Sequence, residues 1–215
     1  NPISEEDLSI LERFGRVFEQ SYTRFLDLQK AEEQTRESQI QLALERVRAR
    51  TMAMQHSDEL QEVVNNVYER LNELEVRMDG AAICTFIEGT KDYKVWIGDY
   101  RVPLRIKFNE FTQVQRDYND AIERREELFT NTYSGEIKKE YIQFLLEQTV
   151  LGINIPEEQK QMLLASAFFT TSLACTKNTV FQLYRYTEKS FSKEENDILK
   201  RFANIFEQSY TRFLD

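Results

Sequence analysis

His56 is the single histidine of the 215 residues and sits in His56-Ser57-Asp58-Glu59-Leu60, where an acidic neighbour on a helix would suit a phosphoacceptor. No Gly-rich nucleotide-binding stretch follows it and no Pro lies beside it, so it reads as a surface residue. One His and two separated cysteines, Cys84 and Cys175, fall short of the usual ligand set of a zinc site. Each cysteine lies inside an apolar strand-like run, the setting of a free buried thiol in a reducing, cytoplasmic compartment. The sequence has no Gly-rich phosphate loop, no Gly-x-Ser-x-Gly, no His-Glu-x-x-His and no clustered Asp motif. The acidic pairs Glu5-Glu6, Glu126-Glu127 and Glu157-Glu158 fall at helix starts or on polar faces, where the helix dipole favours them. Arg46, Arg48 and Arg50 read as a solvated helix flank paired with Glu45 and its neighbours. No catalytic residue, metal ligand or cofactor is assigned, and the chain is read as a non-enzyme. A net charge of −9 argues against nucleic acid, whose phosphates need a basic surface. No apolar run approaches the roughly 20 residues that cross a bilayer.

The elements that carry these residues announce themselves through a repeat. Ser4–Asp27 (SEEDLSILERFGRVFEQSYTRFLD) matches Ser192–Asp215 (SKEENDILKRFANIFEQSYTRFLD), and the last ten residues are identical. The period, from Ser4 to Ser192, is 188 residues, a domain rather than a solenoid repeat. The expectation is one period of a tandem array preceded by the last helix of another unit; the start at Asn1-Pro2, without Met, fits a piece of a longer protein. Ser192 with Glu195, and Ser4 with the weaker Asp7, have capping-box spacing. Apolar residues fall on two faces of the first copy, Ile10, Phe14 and Val17 on one, Leu8, Leu11, Phe18, Tyr22 and Phe25 on the other. A helix apolar on two sides is normally covered on both.

From Leu28 to Met78 there is neither Pro nor Gly, and good helix formers dominate. Ile40, Leu44, Val47, Thr51 and Met54 alternate spacings of four and three, as do Leu60, Val64, Val67, Leu71, Leu74 and Met78. This is coiled-coil spacing, and it predicts a parallel homodimer. The phase slips between Met54 and Leu60, where Ser57 or Asp58 would cap a new helix.

After Gly80 the period becomes strand-like. Strands are predicted over Ala81–Glu88, Tyr93–Gly98, Val102–Phe108 (an edge, given Pro103), Leu128–Tyr133, Ala167–Cys175 and Thr179–Tyr186, the last two joined by a tight turn at Lys177-Asn178. Helices are predicted over Phe111–Arg125, Glu136–Thr149 and Pro156–Leu164, and after Phe191. The fold class is α+β: an antiparallel six-stranded sheet flanked by helices, preceded by a long coiled-coil helix. The expected boundaries are 1–27 for the terminal helix of a preceding unit, 28–57 for a linker and 58–215 for the domain.

In this order of elements the sequence resembles GAF domains of bacterial signalling proteins. Leu42–Val64 (LALERVRARTMAMQHSDELQEVV) is similar to linkers that precede such units in tandem sensors of the Bacteroidetes type, including histidine kinases and nucleotide cyclases, and Phe191–Glu207 is similar to the start of the last GAF helix. The resemblance implies a cytoplasmic sensory or relay module that dimerises and passes a conformational change to an output domain outside this stretch. It also implies a small-molecule pocket between the sheet and the connections on one face, lined by Trp96, Phe108, Phe129, Tyr133, Phe169 and Thr171. Members that bind cyclic nucleotides carry Asn-Lys and then Phe-x-x-x-Asp-Glu; here the residues are Lys177-Asn178 and Phe191-x-x-x-Glu195-Asn196, the first pair reversed and the second motif partly kept. Others attach a bilin through Cys, a role for which Cys84 and Cys175, inside strands, are poorly placed. The competing readings are an inert dimerisation spacer and a cyclic-nucleotide-binding GAF domain.

Overall fold

A computed structural model of the chain describes residues 5–56, 59–98, 103–108 and 111–214. Ser4, Ser57, Asp58, Val102 and Asp215, named above as caps and ends of elements, lie outside the described residues. The elements are α1 (Glu5–Met52), α2 (Leu60–Glu73), β1 (Gly80–Phe86), β2 (Tyr93–Ile97), β3 (Leu104–Ile106), α3 (Gln113–Arg124), β4 (Phe129–Ser134), α4 (Gly135–Gln148), α5 (Leu151–Asn154), α6 (Glu157–Ala165), β5 (Phe168–Cys175), β6 (Thr179–Arg185) and α7 (Lys193–Leu214). The expected α+β class, with its six-stranded antiparallel sheet and its leading long helix, is what forms.

The chain divides into two units, residues 1–42 and 43–215. The described residues of the first, 5–42, are helix alone. Its large apolar residues from Leu8 to Leu28, among them Phe14, Val17, Phe18, Tyr22 and Phe25, are exposed, and Phe18 stacks on Tyr22 at 6.1 Å.

In the second unit, α1 ends at Met52, so the helical run to Met78 is interrupted where the phase slips. Glu59 closes the connection by accepting from the Gln55 and His56 N–H groups at 3.0 and 3.1 Å, which holds its pKa below the usual carboxylate value. The last turns of α1 run antiparallel to α2, with Arg46 against Glu73 at 3.7 Å and Arg50 bonded to Glu62. Of the ridge expected to face another chain, Leu44, Val47, Met54, Leu60, Val64, Val67 and Leu71 are thereby buried within this one; Ile40, in the first unit, is 5% exposed. Heptad spacing demands an apolar neighbour; a chain that turns back after Met52 supplies its own.

The sheet runs β3-β2-β1-β6-β5-β4, every pairing antiparallel. Strand alternation sorts its side chains onto two faces. One face carries Ile83 and Trp96, paired across β1 and β2, with Phe181 opposite Ile83 on β6. Phe181 meets Phe206 of α7 at 5.2 Å, and α2 packs beside β1 and β2. The other face carries Ala82, Cys84, Tyr93, Val95, Phe169, Leu173 and Val180 in one apolar core with Val114, Tyr118, Tyr141, Ile142, Leu151 and Leu163 of α3–α6. A buried lysine, Lys138 on α4, helps hold this helical layer together. Its Nζ donates to the carbonyls of Leu163 and, at 3.0 Å, Leu164, closing the last turn of α6 as a cation at a helix C-terminus should. Burial lowers its pKa.

Candidate functional site

The inward face of the sheet does not close completely on the helices. A cavity of about 60 Å³ remains between β1, β2, β3, β5 and β6 on one side and α3–α6 on the other. Its walls are aliphatic and aromatic in nearly equal measure, with Ala82, Val95, Leu104 and Leu151 among the former and Tyr141 and Phe169 among the latter. The polar atoms come from tyrosines, from Cys84 and from two glutamines, Gln115 and Gln182. None of the residues lining it carries a formal charge at neutral pH.

Gln115 is positioned by the start of α3. Thr112 is the N-cap, and a capping box joins the two: Gln115 N–H donates to Thr112 Oγ1 at 3.2 Å, and Gln115 Oε1 accepts from the Thr112 N–H at 3.1 Å. Thr112 Oγ1 also lies 3.1 Å from that oxygen. The box fixes which end of the amide is which, because a flipped side chain would turn an NH2 toward a backbone donor. Gln115 Nε2 is consequently left facing away from the cap, buried and without a hydrogen-bond partner among the described residues.

Gln182 enters from β6. Its Nε2 donates to Tyr118 Oη at 2.9 Å and to Thr171 Oγ1 at 3.1 Å. Tyr118 meets Tyr141 edge-on at 6.1 Å, and Tyr141 packs on Phe169 at 5.3 Å. Burial pushes the phenols of Tyr118 and Tyr141 well above their ordinary pKa, so both are neutral. Burial, with Cys175 adding to it, raises the Cys84 thiol to about 12, and burial and Glu126 raise Cys175 likewise to about 12. Both cysteines are free, and neither offers the thiolate that covalent ligand attachment requires.

Of the six side chains expected to line a pocket, Phe169 lines the cavity. Tyr133 and Phe129 belong to the surrounding core, Tyr133 donating to Asp117 at 2.7 Å. Thr171 stands behind Gln182 as its acceptor. Trp96 points to the opposite face, where its Nε1 donates to Thr85 Oγ1 at 3.1 Å. Phe108 lies beneath Lys91, at 4.7 Å. The polar residues that sequence reasoning passed over are Gln115, Tyr118 and Gln182. Two of the three carried a signal: Thr112-x-x-Gln115 is a capping-box spacing, and Gln182 is a polar residue at an inward position of an apolar strand.

The partly kept motif residues lie on other surfaces. Asn178, in the β5–β6 turn, donates through its N–H and Nδ2 to Glu207 Oε1 of α7 at 3.0 and 2.8 Å, while Thr176 donates to Glu207 Oε2 at 2.7 Å. Glu195 completes a capping box with Ser192 (2.7 and 3.1 Å) and also pairs with Arg185 at 2.9 Å, whose guanidinium stacks on Phe191 at 3.7 Å. Capping thus accounts for Glu195, as its spacing from Ser192 suggested, and packing against Arg185 accounts for Phe191. Among the described residues no group of three or more His, Cys, Asp or Glu side chains could hold a metal ion, and no helix is long and apolar enough to cross a membrane.

No family model matches the sequence, and no curated protein does. Among solved structures, the chain is similar to residues 122 to 287 of a methyl-accepting chemotaxis protein, at 11% identity and a TM-score of 0.49, covering 80% of this chain and 97% of that one. It is also similar to the phycoerythrobilin-bound GAF domain of a cyanobacterial phytochrome, at 10% identity and a TM-score of 0.45, covering 80% and 97%. A third similarity is to the GAF domain of an Acinetobacter phosphoenolpyruvate-protein phosphotransferase, at 11% identity and a TM-score of 0.41, covering 79% and 93%.

Proposed function

We propose that the chain is a non-catalytic, GAF-like sensory relay module of a cytoplasmic signalling protein, in which occupancy of the cavity alters the seating of α7. The observation that carries this reading is the two-sidedness of β6. Gln182 and Tyr184 face the cavity, whereas the alternate residues Phe181 and Arg185 hold α7 through Phe206 and Glu195. The β5–β6 turn is tied to the same helix by Glu207. A ligand that shifts β6 therefore acts on both attachments of α7, the two-state element that such a relay needs.

The repeat supports the same reading. Glu207 and Phe206 belong to the ten residues that recur as Phe18–Asp27. In α7 these residues clasp a hairpin and a sheet; in α1 they are displayed. We read residues 1–27 as the closing helix of a preceding unit, 28–57 as the linker and 58–215 as the domain, so that one helix carries the state of one unit into the next and finally to an output domain, a histidine kinase or nucleotide cyclase being the kind that the linker resembles. In the isolated chain the displayed ridge makes a parallel homodimer. Cyclic-nucleotide binding is the weaker reading, because a phosphate in an uncharged cavity lacks a cationic partner.

Ala82→Leu, which adds methyl groups to the cavity wall, tests the relay through amide hydrogen exchange. Altered protection in β6 and α7 is expected. Changes that leave α7 untouched would refute transmission through the sheet. Inserting one residue within Gln55–Asp58 of the longer protein should likewise alter its output.

A further inference from the structure

We infer that the cavity selects a small, electrically neutral ligand with an apolar, ring-sized body and a single hydrogen-bond acceptor, and that Gln115 is the residue that reads the acceptor. This rests on the cavity being the sensory site, and it adds what the site admits.

Three observations converge. First, Gln115 is 2% exposed and its Nε2 has no partner among the described residues, although the same side chain makes full use of its oxygen. A buried donor left unpaired is costly, so an acceptor brought to it gains more than an ordinary exchange with water. The Thr112 cap prevents the amide from rotating its oxygen inward, so the site offers a donor and does not accept from the ligand at this position. Second, the other amide in the wall is engaged. Gln182 Nε2 is shared between Tyr118 and Thr171, which leaves Gln115 as the open donor of the pair. Third, the lining lacks any cation to repay the desolvation of an anion, and any carboxylate to repay that of an ammonium. Size follows from the volume: about 60 Å³ is several times the 10–15 Å³ that admits one water by the same kind of measure, enough for one small ring and little more. The rings of Tyr118, Tyr141, Phe169 and Tyr184 offer edges and faces to such a body. Ketones, ethers and esters of this size meet the description; nucleotides, phosphates and carboxylates do not.

The test uses the whole chain and three probes of nearly equal shape: acetophenone, which has one acceptor; α-methylstyrene, which has none; and benzoate, which is an anion. Binding is followed by the NMR shifts of the Ala82 and Leu151 methyl groups, which line the cavity. Acetophenone should bind about tenfold more tightly than α-methylstyrene, the ratio expected of one satisfied buried hydrogen bond, and benzoate should leave the methyl groups unmoved. Gln115→Met should erase the difference between the two neutral probes while keeping α-methylstyrene within about threefold of its original affinity, which also certifies that the variant is folded. Equal binding of the two neutral probes, a ratio that survives Gln115→Met, or binding of benzoate as tight as that of acetophenone overturns the selectivity while leaving the cavity as a site. Unmoved methyl groups with all three probes overturn both the selectivity and the cavity as the sensory site.

Discussion

Glu195 shows how one carboxylate can be over-determined. Burial alone would raise its pKa, but the Ser192 N–H, the Arg185 guanidinium and the Arg77 N–H together hold it below the ordinary value of 4.5. A carboxyl whose folded pKa is depressed contributes stability that is present above the unfolded value and is lost as pH falls through the folded one. Glu195→Gln should therefore cost about 1–2 kcal/mol near neutrality and progressively less below pH 4.5, so that urea titrations of the two proteins converge in acid. A constant difference across that range would show that packing, not charge, is what the substitution removes. Arg125 presents the opposite case, a residue that its backbone does not suit. It ends α3 at φ 52° and ψ 49°, while the Glu126 N–H closes the turn on the Ala121 carbonyl at 2.9 Å. Glycine adopts this conformation without a Cβ penalty, so Arg125→Gly should raise stability by about 0.5–1 kcal/mol in the same titrations. An unchanged or lower midpoint would mean that the exposed arginine side chain contributes more than its conformation costs.

At the level of elements, most of the fold was legible because the chain punctuates itself. Apolar runs bounded by Gly89, Gly98 and the Lys177-Asn178 turn gave six strands within a few residues of their observed ends, and the phase slip after Met54 marked the break between α1 and α2. What could not be read was which surface covers which. Heptad spacing says that a face is buried and is silent about whether the covering helix belongs to the same chain. For the same reason the pocket was only partly legible: Trp96 and Val95 are neighbours in sequence, and only the positions of α2 and α3–α6 decide which of them faces the cavity. The four-residue α5 was missed because it is shorter than any periodicity can reveal, yet it contains a tight constraint. A Cβ on Gly152 would lie 1.9 Å from the Leu146 carbonyl oxygen, a backbone atom that cannot step aside. Gly152→Ala should cost more than about 2 kcal/mol and displace Leu151 from the cavity wall, whereas Gly15→Ala, with nothing within 4 Å, should raise the helicity of α1. Circular dichroism melts of the two variants measure both effects, and equal melting temperatures would remove the assigned constraint.

At the scale of the whole molecule, the same ten residues occupy two environments. Phe206 is 0% and Tyr210 8% exposed, whereas their copies Phe18 and Tyr22 are 72% and 54% exposed. Burying an aromatic or large aliphatic side chain is worth about 1.5–3 kcal/mol, so the ridge from Leu8 to Leu28 is a strong drive toward association. The eight residues of the other ridge are already covered and have nothing left to offer a partner. Two substitutions separate the roles. Phe18→Glu, placed on the displayed ridge, should convert the proposed dimer into a monomer in sedimentation equilibrium and leave the domain's melting temperature unchanged. Val64→Glu, placed on the covered ridge, should instead unfold the domain, because it buries an unpaired carboxylate among apolar neighbours. A native-like dimer that persists with Phe18→Glu would move the interface off this ridge. A sound monomer produced by Val64→Glu would return it to the helices on either side of His56.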